Sequence, residues 1–162
     1  MLPKDRELNI KRSLYKFLRE RLSADYYINY SASGDEKVEK RVIEKTPEIP
    51  PEYWKWVDIH WLRVGQGIFS ISVLQINCNT IIAKDRFGTA LVEMVDEVQD
   101  ELNVDTIELL DFSNDVFNPV PTGNVLIPRF RGSRSLPEAA GDTVNVEAID
   151  YNVYVWRESV LP

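Results

Sequence analysis

The chain has 162 residues, 44% hydrophobic and 28% charged, the balance of a globular domain long enough to bury a core. Its formal charge of −7 argues against a protein whose main task is gripping nucleic acid, which needs clustered Lys and Arg. One histidine and one cysteine leave no internal disulfide and no four-ligand zinc site.

Periodicity predicts a first helix over Lys4 to Leu22. Ile10, Leu14, Leu18 and Leu22 recur every four residues, and Tyr15 and Phe17 widen the stripe. Lys11, Arg12, Lys16, Arg19 and Arg21 make the rest of its surface basic, and Pro3 suits the first turn. Ser23 to Asp25 ends the helix and leads into a short strand with Tyr26, Ile28 and Tyr30 on one face. From Ser31 to Glu52 the pattern lapses, and Pro47, Pro50 and Pro51 exclude regular structure, so this stretch reads as an exposed excursion.

A hairpin follows. Val57, Ile59 and Trp61 alternate with Trp56, Asp58 and His60; Gly65-Gln66-Gly67 turns the chain; a second strand runs from Ile68 to Asn79. Asp85 is placed to cap a second helix over Arg86 to Leu102. Its stripe is Phe87, Leu91, Met94, Val95, Val98 and Leu102, and its outer side is acidic with Glu93, Asp96, Glu97, Asp100 and Glu101. Thr106 to Phe112 reads as a strand. Ser113 to Asp142, with Pro119, Pro121, Pro128 and Pro137, reads as a second excursion, in which the apolar run Asn124 to Phe130 makes an extended arm. The last strand covers Thr143 to Trp156, and the change of phase between Ala148 and Ile149 is that of a bulge or bend. The order predicts a single α+β domain over residues 1–162. It has one mostly antiparallel sheet, two helices packed on one face, and long insertions at about 31–52 and 113–142.

Few residues invite chemistry. His60 shares a strand face with Asp58, but a dyad needs a nucleophile that the sequence does not place. Asp111, Asp115, Asp142 and Asp150 form no known oxygen-ligand loop, and Gly65-Gln66-Gly67 lacks the strand-to-helix setting of a dinucleotide fingerprint. Cys78 reads as a buried thiol within a strand. No catalytic, metal or cofactor residue is therefore assigned, and the chain is expected not to be an enzyme. The N-terminus has no apolar signal core and no apolar run approaches the roughly 20 residues of a spanning helix, so a soluble protein without a membrane partner is expected. Candidate partner-interface residues are Trp54 and Trp56, on the strand face opposite Trp61, and the cluster Arg129, Phe130, Arg131 and Arg134.

The element order and several segments together resemble one family. A basic amphipathic helix enters Tyr26-Tyr27-Ile28-Asn29-Tyr30; a Trp-Val-x-Ile strand at Trp56 to Ile59 meets the strand Ile71-Ser72-Val73-Leu74-Gln75-Ile76. An Asp-Arg-Phe-Gly-x-x-Leu segment at Asp85 to Leu91 then opens the second helix. The chain is similar to the tail terminator (tail completion) proteins of long-tailed bacteriophages, small α+β proteins that cap the tail tube and join it to the head. The resemblance implies a virion structural protein made in the host cytoplasm, a hexameric ring, contacts with the tail-tube protein and with head connector or neck proteins, and a lumen that DNA passes without specific binding. Other readings are another small neck, head-completion or tail-tube component, or a small α+β ligand-binding protein or hydrolase.

Overall fold

The computed structural model describes residues 3–29, 53–65, 70–136 and 143–157. Helix α1 spans Pro3–Arg21 and a short strand β1 spans Tyr27–Asn29. Strands β2, Lys55–Arg63, and β3, Ile71–Ile81, lead into helix α2, Thr89–Leu102. Three strands follow: β4, Ile107–Asp111; β5, Val120–Ser135; and β6, Val144–Arg157. The strands form one curled, mixed sheet in the order β1-β2-β3-β6-β5-β4. Among the described residues only the β1–β2 pair is parallel, and the other strand pairs are antiparallel. The fold is α+β, with both helices packed on the sheet.

The period-two pattern explains which face they cover. Val57 and Ile59 lie opposite Cys78 and Ile76, and Ile76 lies in turn opposite Ile149. These side chains share one face and are buried with Ile10, Leu14 and Leu18 of α1 and Met94, Val98 and Leu102 of α2. Each such aliphatic side chain contributes about 1.5–3 kcal/mol when fully buried. The opposite face carries Trp56, Asp58, His60, Gln75 and Asn77, none of which joins that core.

Several expectations are corrected. The second excursion is largely a strand: β5 runs 16 residues beside β6. Its prolines hid it, because proline cannot donate to a ladder and is confined to edges, strand starts and irregularities. Pro121 lies beside the β4–β5 irregularity, and Pro128 lies beyond the last residue that pairs with β4. The change of phase in β6 is not a bulge. Its register with β3 is unbroken from Val144 to Tyr154, and the irregularity falls on β5 between Phe130 and Gly132. Val144 and Val146 lie on the outer face and Ile149, Tyr151 and Val153 on the helix face, so the apolar residues change sides while the strand continues.

Helix α2 starts at Thr89 rather than Arg86, which leaves Phe87 outside its stripe and 93% exposed. Asp85 still caps it, from one turn further back: one carboxylate oxygen accepts from the Ala90 N–H and the other from the Leu91 N–H, each at 3.0 Å. Tyr30, the excursion at 31–52 and the Gln66-Gly67 part of the hairpin turn lie outside the described residues.

Candidate assembly interface

A sheet associates with a partner through its rims or its uncovered face, so those are where the sequence-derived candidates have to be placed. The β4 rim is occupied within the chain. Asn9 and Ser13, four residues apart on α1, face it: the Leu110 N–H donates to Ser13 Oγ and the Phe112 N–H to Asn9 Oδ1, both at 2.9 Å. Asn9 also donates to Asp111 Oδ1 at 3.3 Å. Both polar side chains are buried. Their spacing at i and i+4 was a signal in the sequence, masked by the basic residues around it.

β5 is different. It pairs with β4 only over Val120 to Leu126, while it pairs with β6 from Asn124 to Ser135. Among the described residues, no strand lies on the outer side of Pro128 to Ser135. This unpaired half carries Arg129, Phe130, Arg131 and Arg134, all exposed. The four candidates therefore share a strand edge of the sheet rather than an arm extended from a loop.

The irregularity at Phe130/Gly132 turns them in different directions. Phe130 lies opposite Tyr151 on the helix face, with the two ring centroids 6.0 Å apart in an edge-on contact, and is 57% exposed. It borders a cavity of about 310 Å³ whose other wall is the end of α2, at Asp100 and Asn103. Arg134 reaches across the outer face, where it pairs with Asp150 and donates to Gln75 Oε1 at 3.0 Å. Arg129 donates to the Pro128 carbonyl at 2.9 Å. Trp56 is on the outer face too, but on β2, with β3 and β6 between it and β5. Trp54 precedes β2, and its ring lies 4.8 Å from the Lys55 ammonium. The tryptophans and the arginines thus belong to separate parts of the surface.

The outer face is polar in its middle. Asp58 accepts from Asn29 Nδ2 at 2.9 Å and from Asn79 Nδ2 at 3.0 Å, one neighbour from each adjoining strand. Burial pushes its carboxyl above the usual range, against the pull of these amides and of His60. His60 stands opposite Gln75, which stands opposite Asp150. Cys78 faces the other way, into the helix-covered core, where burial pushes its thiol far above the ordinary value and leaves it a poor nucleophile. Among the described residues, no three His, Cys, Asp or Glu side chains gather closely enough to hold a metal ion.

The arrangement is one of surfaces: a half-open strand, a polar outer face and two helices of opposite charge. No known protein family matches the chain, and a search of curated proteins finds no match to it.

Proposed function

We propose that this chain is a structural protein of the head–tail joint of a long-tailed bacteriophage, a tail terminator whose copies associate into a ring between the tail tube and the head. The observation that carries this reading is the half-paired β5, whose Pro128 to Ser135 edge offers backbone groups and an exposed Phe130. Open edges are a hazard that monomeric proteins blunt or cover, and closed cyclic symmetry removes them by pairing each with a neighbour. The rim at β4 is closed by α1, whereas the Pro128 to Ser135 edge has no partner strand among the described residues and is available to a complementary patch on a neighbouring copy.

In this reading the tail-tube protein and the head connector meet opposite faces of the ring. The acidic balance of the chain suits a lumen that DNA passes without sticking. Negative-stain electron microscopy of the purified protein tests it. Closed rings of uniform diameter are expected; a field of single small particles at every concentration contradicts the proposal.

A further inference from the structure

The two helices carry opposite charge. On the basic side of α1, a groove of about 300 Å³ opens between the helix and the segment joining β4 to β5. Tyr15, Phe112 and Phe117 line it with apolar surface; the cations Arg12, Lys16 and Arg19 lie around them with a single carboxylate, Glu20, which pairs with Lys16 at the exposed surface. Phe117 is 67% exposed. The Arg19 guanidinium donates to the carbonyls of Tyr26 and Ser23, at 3.1 and 3.2 Å, which fixes its position while supplying no carboxylate.

Helix α2 carries five acidic residues and no basic one in 14 residues. Glu93, Asp96 and Asp100 lie three and four apart on its exposed side, a spacing at which like charges repel. Asp100 and Glu101 also sit in the last turn, where the helix dipole disfavours negative charge. Among the described residues no Lys or Arg pairs with Glu93, Asp96 or Asp100. The acidic face therefore works against its own helix and gains only from cations outside it. Two apolar side chains lead into it: Phe87, 93% exposed, and Val92, 57% exposed.

We infer that the α1 groove receives the Phe87 end and acidic face of α2 from a second copy of this chain. The aromatic and aliphatic side chains fill the apolar groove, and Glu93 and Asp96 meet Arg19 and Lys16, the latter shared with its exposed partner Glu20. Charge complementarity selects this occupant. Copies with a net charge of −7 repel overall, and this contact sets the most acidic helix of one against the basic helix of the next. The patches are different regions of one chain, so the contact is head-to-tail and closes into a ring or continues as a filament. The inference rests on the self-association reading above and adds a second contact to the one offered by the β5 edge.

Cysteine trapping tests the contact directly. Phe87→Cys and Phe117→Cys are exposed substitutions, and the native Cys78 is buried. Mixed under mild oxidation, the two variants are expected to give at least ten times more cross-linked dimer than either alone. Equal yields overturn the contact. Lys16→Glu is expected to weaken association at least tenfold, and adding Glu93→Lys and Asp96→Lys to the same chain to restore it; absence of restoration also overturns the contact. Sedimentation of the unaltered chain separates the two failures. A chain that assembles while cross-linking fails retains the ring and loses this contact, whereas a chain that stays monomeric loses both.

Discussion

Asp85 fixes the start of α2, and replacing it with alanine isolates that role. Its carboxylate is buried and takes three hydrogen bonds: from Thr80 Oγ1 at 2.8 Å and from the Ala90 and Leu91 amides. Hydrogen bonds to a charged group contribute about 1.5–3 kcal/mol each, but summing three overcounts, because water reaches helix amides once the side chain is gone. Helix-cap losses of about 0.5–2 kcal/mol are the better measure for the two amides. Thr80 is wholly buried and its hydroxyl, still accepting from Asn145 Nδ2 at 3.4 Å, would lose the acceptor for its own proton, a further cost of about 1–3 kcal/mol. Asp85→Ala is therefore expected to destabilise the fold by about 2–4 kcal/mol in urea unfolding.

The pH dependence gives an independent check. Burial alone would raise the Asp85 carboxyl, but the Thr80 hydroxyl and the two amides outweigh it and hold it below the ordinary value. A carboxylate with a depressed folded value stabilises fully above the unfolded value of about 3.9, and that stabilisation drains away as pH falls through the folded value. The gap between the unaltered chain and Asp85→Asn is then constant near neutrality and narrows below about pH 4. A cost under about 1 kcal/mol for Asp85→Ala, or a gap that widens on acidification, contradicts the capping role of Asp85.

Other outcomes follow from the same placements. Arg129→Ala, Arg131→Ala and Arg134→Ala combined should impair ring formation in electron micrographs while the thermal melt stays nearly unchanged, because the Arg134–Asp150 pair is exposed and such pairs contribute about 0–1 kcal/mol. Trp61 packs against the core but is only partly buried, so Trp61→Ala should cost about 2–3 kcal/mol in chemical denaturation, below the 3–5 of a fully buried tryptophan. A loss under about 1 kcal/mol would remove Trp61 from the core. Cys78 should resist a thiol reagent such as DTNB in the native protein and react at once in denaturant; fast native labelling would contradict its burial.

The parts of the fold that the sequence announced are those where one face is buried and the other is not. Leu14 and Leu18, Val57 and Ile59, and Met94 and Val98 repeat at the period of their element because the same sheet face receives them all. β5 escaped because Pro121, Gly123, Pro128 and Gly132 interrupt its alternation, and those residues are tolerated where pairing is irregular or one-sided. Phe87 matched a helical stripe by spacing alone, but the turn at Arg86 and Phe87 precedes the helix. Of the candidate interface, composition picked out the arginine cluster, while its position on a strand edge depends on where β4 stops pairing. The groove on α1 was illegible for a simpler reason: Tyr15 and Phe117 meet only after the chain has built its sheet. The acidic side of α2 was plain from the start, since five carboxylates in 14 residues need no structure to be counted.

The proposed function requires closed association of identical copies. Sedimentation equilibrium across a wide concentration range measures that directly. One discrete oligomer of fixed copy number, formed reversibly from 18.7 kDa chains, is the predicted result. A single 18.7 kDa species up to the highest concentration, or a mass that grows without limit, would contradict it.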